Sequence, residues 1–278
     1  MDTNDKLHRE VILANQKLHN SLGELYEKDP LIEQQFSSHS KSRMKEVLET
    51  AIKARKRAGE KTALVDIGTG TGLALDIAKD MTDISIGFDV ALEMLKVSRK
   101  RGHSVSLADG ANLPLQDKTA DIVIIDSVLH HVLDIKKVIG EAYRILKPGG
   151  VLVTDWDPNG LVQITQAKPL YKALLYMSKK IRYTLGGFSD QVKRDVFEMA
   201  EYHRFHDNLL PDKINGCLCE TGFSEVKIIY HANHKSANNL SLFSMPAISF
   251  VRTIILMILG LTFDKKKIYE IIMTVSVK

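Results

Sequence analysis

The first sign of chemistry in this chain is a glycine-rich turn, Asp66-Ile67-Gly68-Thr69-Gly70-Thr71-Gly72, which directly follows a run typical of a buried strand. Glycines let the backbone approach a ligand closely and adopt positive φ angles. The spacing is G-x-G-x-G, so the turn matches neither the dinucleotide fingerprint G-x-G-x-x-G nor a phosphate loop with Gly-Lys-Ser/Thr. The ligand of this turn therefore need not be a pyrophosphate.

Two further aspartates follow the next two strand-like runs. Asp89 ends the second run, 17 residues after Gly72, and Asp109 follows the third. A carboxylate at the end of the second strand can accept both hydroxyls of a ribose, and open α/β sheets bind ligands at the carboxyl edge of their strands. Asp66, Asp89 and Asp109 should thus converge on one crevice. That crevice would suit a nucleoside ligand with a positive group and several hydroxyl or amine donors.

These residues lie in a stretch where short β-branched runs alternate with helical patterns. The alternation predicts a mostly parallel sheet with helices on both faces. The predicted strands are Ala63–Ile67, Ile84–Asp89, Ser104–Ala108, Ala120–Asp126, Val151–Asp155, Glu225–Tyr230 and Ile268–Val277. Helices are also predicted before the first strand, over residues 5–27 and about 40–58, and in a long stretch at about 161–205.

The composition is that of an ordinary globular chain, with 278 residues, 44% apolar and 26% charged. The net charge of +4 falls well short of the dense basic stripe of a dedicated nucleic-acid binder. The two cysteines, Cys217 and Cys219, are too few for a disulfide framework or a four-cysteine zinc site, and no metal site is expected. The polar N-terminus lacks the apolar run of a signal peptide, so a cytoplasmic location is expected.

Five segments, in order between Thr62 and Asp157, resemble the motifs of class I S-adenosylmethionine-dependent methyltransferases. They are Val65-Asp66-Ile67-Gly68-Thr69-Gly70-Thr71-Gly72, Asp89-Val90-Ala91-Leu92-Glu93-Met94-Leu95, Asp109-Gly110-Ala111-Asn112-Leu113-Pro114-Leu115, Asp126-Ser127-Val128-Leu129-His130-His131-Val132 and Tyr143-Arg144-Ile145-Leu146-Lys147-Pro148-Gly149-Gly150. The chain is most similar to the branch that includes ubiquinone and menaquinone C-methyltransferases and many small-molecule methyltransferases. The resemblance implies a Rossmann-like, seven-stranded, mostly parallel sheet with an antiparallel last strand, a helical N-terminal extension and helical lid insertions.

The resemblance also implies S-adenosylmethionine as the cofactor and S-adenosylhomocysteine as the product. The expected cofactor-binding residues are Asp66, Gly68, Thr69, Gly70, Gly72, Asp89, Val90, Met94, Asp109, Gly110 and Ser127. The glycines would pass beneath the methionine and ribose part, while Asp66 would position their loop or meet the amino group. Asp89 would bind the ribose hydroxyls and Asp109 the adenine amino group. Val90 and Met94 would flank the adenine.

Methyl transfer from a sulfonium is an in-line displacement, so much of the catalysis can come from holding the nucleophile near its attack geometry. A base is needed only where the acceptor must lose a proton. The candidate catalytic residues are His130 and His131, with Asp155 and Asp157 at the end of the fifth strand. In the alternative interpretation, His130 only contacts the cofactor and His131 packs at the sheet edge.

The acceptor is expected to be a small or lipophilic molecule. Amino-methylating nucleic-acid enzymes of this fold carry Asn/Asp-Pro-Pro-aromatic after strand four, and cytosine-C5 enzymes carry Pro-Cys there. This chain has Asp126-Ser127-Val128-Leu129 at that place, which disfavours a nucleic-acid partner. Two alternatives stay open: a methyltransferase of RNA or protein, and a cofactor-binding module without turnover.

One elaborated domain is expected. Residues 1–60 would form an N-terminal helical extension or lid, in which Tyr26 is a candidate for closing over the cofactor. Residues 61–278 would form the methyltransferase domain, with inserts at about 161–205 and 236–266.

One part of the second insert, residues 242–263, is almost entirely apolar. A proline, an arginine and a glycine interrupt it, and a charged residue inside a membrane span is costly. A single span would also separate two strands that must pair. The sequence therefore favours a pocket lid or a homodimer contact over peripheral membrane contact through residues 242–267, which stays open as the third alternative and would make the protein membrane-associated.

Overall fold

The computed structural model describes residues 3–28, 33–55, 60–160, 209–231 and 271–278. These residues build a sheet of seven strands: β1 (Ala63–Ile67), β2 (Ile84–Asp89), β3 (Val105–Leu107), β4 (Ala120–Asp126), β5 (Leu146–Pro158), β6 (Ser224–His231) and β7 (Ile271–Val277). The strand order is β3-β2-β1-β4-β5-β7-β6. The first five strands pair in parallel, and β7 runs antiparallel between β5 and β6. The predicted fold class is confirmed.

Helices flank the sheet on both faces. The described α-helices are α1 (Thr3–Leu22), α2 (Ser38–Arg55), α3 (Leu73–Ala78), α4 (Leu92–Lys100), α5 (Ile135–Ile145) and α6 (Pro211–Thr221), and the 3₁₀ helices are Gly23–Lys28 and Leu129–His131. The first helix was predicted to run unbroken to residue 27. It leaves the α conformation after Leu22 because Gly23 adopts a φ of +46°, a left-handed backbone angle that ends helices.

Strand β5 is longer than the sequence predicts. Residues 147–150, which precede the predicted strand Val151–Asp155, lie inside the observed strand, where the pairing with β4 shifts register between Ala120 and Ile122. Gly149 supplies the positive φ of +72° that this irregularity requires. Arg55, at the end of α2, donates a hydrogen bond to the carbonyl of Pro148 at 3.0 Å and so ties the irregular part of the strand to the helical layer.

The core lies on both sides of β4, which explains why this strand reads as an unbroken apolar run. Side chains alternate along a strand, so Ile122 and Ile124 face one layer while Val123 and Ile125 face the other. The first pair packs with residues of α2 and α3, such as Leu48 of α2. The second pair packs with residues of α5 and α6, which include Val138, Ile139 and Leu218. All four strand side chains are fully buried, and each contributes about 1.5–3 kcal/mol to stability.

Several predictions concern residues outside the described ranges. The insert at about 161–205, the insert at about 236–266 and the apolar segment 242–263 all fall there. The division into an extension, a domain and two inserts therefore stays a prediction. In the described parts of the chain, no helix is both long enough and apolar enough to cross a membrane.

Candidate active site

The glycine-rich turn lies at the carboxyl end of β1 and is held there by its own backbone. The amides of Gly68 and Thr69 both donate to the carbonyl of Phe88 in β2, at 2.7 and 2.9 Å. Gly68 and Gly70 have positive φ angles of 73° and 54°, which L-residues rarely adopt. A side chain at position 68 would overlap the side chain of Val128, so the close approach of the Gly68 backbone to that side chain requires glycine.

Asp66 supports this turn from behind. It is 1% exposed, and one carboxyl oxygen accepts a 2.7 Å hydrogen bond from the hydroxyl of Thr69. The other oxygen is buried with no hydrogen-bond partner. Burial raises the pKa of Asp66 to about 7, an effect that the hydrogen bond from Thr69 reduces and the nearby charge of Asp89 increases. Of the two roles expected for Asp66, this geometry fits the positioning of the loop.

Asp89, the last residue of β2, joins the glycine-rich turn to the next turn of the chain. One of its carboxyl oxygens accepts the Gly70 amide at 2.8 Å, and the other accepts the Ala91 amide at 2.8 Å. Each carboxylate oxygen has a second lone pair that can still accept a hydrogen bond. The carboxylate is therefore fixed in orientation and keeps free acceptor capacity toward a ligand.

Asp109 occupies the corresponding place after β3. One carboxyl oxygen accepts the Ala111 amide at 3.0 Å, and the other lies 2.7 Å from Nε2 of His8 in α1. The side chain expected to meet an adenine amino group is thus already engaged by the N-terminal helix. A ligand that used the same oxygen would have to share it with His8 or displace His8.

Polar contacts fasten α1 and the 3₁₀ helix Gly23–Lys28 across the ends of the strands. Asn15 donates to the carbonyl of His131 at 2.9 Å, and Gln16 donates to the carbonyl of Val90 at 3.0 Å. The amide of Glu93 donates to the side chain of Asn20 at 3.0 Å. At the end of this segment, Glu27 accepts from the hydroxyl of Thr71 at 2.8 Å. The segment therefore forms a cover over the loops after β1, β2 and β4.

A pocket lies between this cover and the carboxyl edge of the sheet. Its lining is His8, Val11, Ile12, Asn15, His19, Tyr26, Ile67, Gly68, Gly70, Asp89, Val90, Met94, Ala108, Asp109, Gly110, Ala111, Asp126, Ser127, Val128, His131, Val132, Leu133, Asp134 and Val138. Most of the expected cofactor residues line it. The exceptions are Asp66 and Thr69, which lie behind the loop, and Gly72, which packs against Ser98 and His103.

The floor of the pocket is formed by the last residue of β4 and the turn after it. Gln35 donates from Nε2 to one carboxyl oxygen of Asp126 at 2.8 Å. Burial, and next the charge of Asp155, raise the pKa of Asp126 well above the usual range. Ser127 has a φ of +62°, and its amide donates to the carbonyl of Asp155 at 2.7 Å. This turn directs the chain from the sheet into the 3₁₀ helix that carries the two candidate bases.

His130 and His131 differ in their surroundings. Nδ1 of His130 lies 2.8 Å from a carboxyl oxygen of Asp157, which also accepts the amide of His130 at 3.1 Å. His131 lines the pocket, and its ring centroid lies 4.0 Å from that of His130 and 5.1 Å from that of His19. Burial raises the pKa of Asp157 well above its usual range.

Asp155, also expected among the catalytic residues, contacts neither of these histidines in the structure. Its carboxylate is fully buried and pairs with Arg43 of α2 at 2.8 Å and with Nε2 of His231 in β6 at 2.7 Å. The amide of Trp156 donates to the same carboxylate at 2.7 Å. Asp155 therefore joins α2, β5 and β6 beneath the site, while Asp157 is the carboxylate beside His130.

Sequence reasoning missed the residues that the N-terminal segments contribute. His8, Asn15, His19, Gln35 and Arg43 all reach the strand ends from helices or turns far away in the chain. Asp126 is the first residue of the motif that begins at the end of β4, but no role was predicted for it. Its position at the end of β4, equivalent to that of Asp89 in β2, was the signal that could have identified it.

The lining fits a nucleoside cofactor with a positive centre. Four aspartates line the pocket among the described residues and no lysine or arginine does, which favours a cation. One carboxyl oxygen of Asp126 is buried without a hydrogen-bond partner. A Cβ atom at position 110 would lie 2.6 Å from the side chain of Ile67. Glycine is therefore needed at this position for the backbone to pack closely against Ile67. The chemistry expected from the sequence is therefore compatible with the residues present.

Part of the chain is similar to known methyltransferases. Residues 65–154 match a family model described as a methyltransferase domain. A protein of Methanocaldococcus jannaschii without an assigned function is 39% identical over 107 residues, which are 38% of this chain and 50% of that protein. The demethylmenaquinone methyltransferase of Staphylococcus saprophyticus is 27% identical, over 69% of this chain and 81% of its own length. The tRNA (carboxymethyluridine(34)-5-O)-methyltransferase of Arabidopsis thaliana is 35% identical, over 34% of this chain and 24% of its own.

The chain spans half or less of the length of the first four curated relatives that it matches. Among solved structures, a chain in the complex between the Trm112 methyltransferase activator of Haloferax volcanii and a methyltransferase aligns with a TM-score of 0.58. The two chains are 18% identical, and the alignment covers 94% of this chain and 96% of the other. At 18% identity, this similarity shows only that the two chains share a fold.

Proposed function

We propose that this chain, whose residues 65–154 match a methyltransferase domain, is a class I S-adenosylmethionine-dependent methyltransferase that methylates an O, N or C atom of a small or lipophilic metabolite. The observation that carries the proposal is the pocket beneath α1. Its lining combines the glycine-rich turn, Asp89 and Asp109 with His131. A cofactor site and a candidate base are thus parts of one covered cavity.

The covered pocket supports a small acceptor. Several lining side chains are apolar, including Val11 and Ile12 of the cover and Val128, Val132 and Val138 of the opposite wall. Apolar walls with a few polar groups suit a ligand that enters and is largely removed from water. The demethylmenaquinone methyltransferase of Staphylococcus saprophyticus, which aligns with 69% of this chain, has a name that indicates a lipophilic acceptor.

When bound, S-adenosylmethionine supplies an electrophilic methyl group on a positively charged sulfur. The residues of this chain would orient that cofactor and exclude water. Asp89 would accept the ribose hydroxyls, and Asp109 the adenine amino group. The cover formed by residues 3–28 would shield the site, and a water-excluded site strengthens every electrostatic contact within it.

Proton removal would fall to the histidines where the acceptor needs it. His131 lies in the pocket wall, so it is placed to accept a proton from an acceptor hydroxyl or amine. The contact between Asp157 and Nδ1 of His130 would hold a proton on Nδ1, which leaves Nε2 of that ring as the basic nitrogen. Either histidine could therefore accept the proton, and which of them does so would depend on where the acceptor binds.

The experiment that tests the proposal uses S-adenosylmethionine labelled in its methyl group and a fractionated cell extract. Label in the organic-soluble or small-molecule pool is expected, and the Asp89→Ala variant should transfer much less at cofactor concentrations that saturate the wild type. Label found only in RNA or protein would overturn the proposed acceptor class. Tight cofactor binding with no label in any fraction would indicate a binding module without turnover.

A further inference from the structure

The end of β4 carries a carboxylate whose charge is not compensated. Asp126 lines the pocket, and one of its oxygens accepts from Gln35 at 2.8 Å. The other oxygen is buried and has no hydrogen-bond partner. A buried acceptor without a partner costs free energy, so such an atom at a pocket wall points to a ligand that completes it.

The other aspartates of the pocket differ from Asp126. The carboxylates of Asp89, Asp109 and Asp134 each accept at least one backbone amide, and Asp109 also contacts His8. Within the described residues, Asp126 is the pocket aspartate that accepts only from a neutral side-chain amide. Among the described lining residues, the one buried carboxylate oxygen without a hydrogen-bond partner thus belongs to Asp126.

Neighbouring charges make these surroundings negative. Asp155 and Asp157 of β5 and Asp66 of β1 all act on Asp126. The cations near them are already paired. Arg43 of α2 and His231 of β6 bind Asp155, and His130 of the second 3₁₀ helix binds Asp157. From α1, His19 and the side-chain amide of Asn15 contact His131 at this end of the pocket. Within the described residues, no lysine or arginine lines the pocket to compensate the charge of Asp126.

We propose that Asp126 is the residue that distinguishes the charged cofactor from its product, by pairing with the positive sulfur of S-adenosylmethionine. This inference rests on the proposed function. In the transfer a lone pair of the acceptor forms the new bond to the methyl carbon, and the bond between sulfur and that carbon breaks with its electron pair staying on sulfur. An acceptor that carries a proton releases it to the base or to water. With the electron pair it keeps, sulfur loses its positive charge. Asp126 is then again uncompensated, so the product should bind less tightly and leave.

The amino and carboxyl groups and the nucleoside are common to cofactor and product. Only a contact with the sulfur centre can therefore change the ratio of their affinities. If Asp126 instead met the amino group, its removal would weaken both ligands equally. This difference makes the proposal testable by binding alone, without an acceptor and without turnover.

The test is titration calorimetry of the full chain with S-adenosylmethionine and with S-adenosylhomocysteine. We expect Asp126→Asn to lower the preference for S-adenosylmethionine at least tenfold, mainly by weakening that ligand. Asp80→Asn, the same change at an exposed residue, should leave the ratio as in the wild type. A ratio for Asp126→Asn within twofold of the wild type, whether or not both affinities fall, overturns the proposal.

A second measurement uses the unmodified chain and is independent of how the variant folds. Because Asp126 must be ionised to pair with a cation, the affinity ratio of wild-type protein should rise between pH 5 and pH 9. Titrations in buffers of different ionisation enthalpy should show more proton release for S-adenosylmethionine than for the product. A flat ratio with equal proton release overturns the inference. Failure of both ligands to bind the wild type would instead contradict the proposed function.

Discussion

Asp157 holds His130 through two contacts, one to Nδ1 of the ring at 2.8 Å and one to the backbone amide at 3.1 Å. The carboxylate thereby fixes both the position and the proton of the ring. With its proton on Nδ1, the ring presents Nε2 as the nitrogen that can accept a proton.

If His130 is the base, Asp157→Asn should reduce turnover by about 10²-fold, the range typical of general base catalysis. His130→Ala should reduce turnover as much and His131→Ala much less. The acceptor found by the labelling experiment serves as the substrate. A large loss of turnover in His131→Ala with normal turnover in Asp157→Asn would assign the role to His131.

Asp89→Ala should weaken cofactor binding about 100-fold. The change removes the expected ribose contacts and also the two bonds that hold the amides of Gly70 and Ala91. Hydrogen bonds to a charged group contribute about 1.5–3 kcal/mol each, so the loss of two is compatible with this factor. Calorimetry measures it, with Asp80→Ala as the exposed control. Wild-type affinity in Asp89→Ala would refute the ribose assignment.

The cover should control how fast the cofactor leaves. The double variant Gln16→Ala/Asn20→Ala removes two hydrogen bonds between α1 and the chain after β2. At about 1 kcal/mol per bond, opening becomes about 30-fold more favourable. Cofactor dissociation, followed by stopped flow, should accelerate about tenfold or more. The control is Leu13→Ala, which changes the outward face of the same helix, where Leu13 is 63% exposed. Equal rates in the double variant and the control would mean that α1 does not limit release.

The contact between Gly68 and Val128 can be tested against a matched glycine. Gly68→Ala and Gly102→Ala both place a side chain at a positive φ, 73° and 88° respectively. Space around Gly102 is open, whereas the new methyl group at position 68 would overlap Val128. Gly102→Ala should thus cost only the backbone strain of about 1–2 kcal/mol. Gly68→Ala should lower the melting temperature further and abolish cofactor binding. Similar losses in the two variants would contradict the close approach.

Asp66 should make stability fall as the pH rises. Its pKa is about 7 in the folded chain, against an ordinary value of 3.8, so the folded state binds more protons between these values. The stabilisation is complete below pH 4 and is lost as the pH rises through 7, by up to about 4 kcal/mol. In Asp66→Asn the contribution of Asp66 should be lost and the slope should become shallower, while Asp126 and Asp157, whose pKa values are also raised, keep theirs. Unfolding followed by the fluorescence of Trp156, the single tryptophan, measures it. An unchanged slope in the variant would show that another group titrates.

Most of the sheet could be predicted because its signals are local. An apolar run such as Ala120–Asp126 is covered on both faces, and the strand ends carry the aspartates that the motifs contain. The pairing of Asp155 with His231 had no such signal. It depends on β7 lying between β5 and β6 and on Trp156, whose φ of +59° marks an irregularity in β5. Such a backbone feature is set by tertiary packing, which sequence periodicity does not encode.

The sequence predicted a helical N-terminal segment over the site, but it did not predict the hydrogen bonds that this segment makes. Polar residues such as Gln16 and Asn20 on α1 have the same pattern as a solvated helix face. Their partners are a carbonyl and an amide of the chain after β2, and backbone groups carry no sequence identity. His8 could not be assigned to Asp109 for the related reason that 101 residues separate the two.

The position of β7 has a consequence for how the chain folds during synthesis. Among the described strands, β6 pairs only with β7, and β7 begins 40 residues after β6 ends. Until those residues leave the ribosome, the outer edge of β5 has unpaired backbone groups and β6 has no place to dock. Exposed strand edges can pair with other chains and cause aggregation, and strands that are far apart in the sequence pair slowly. Chaperone dependence should therefore be greatest in the interval between the synthesis of these two strands.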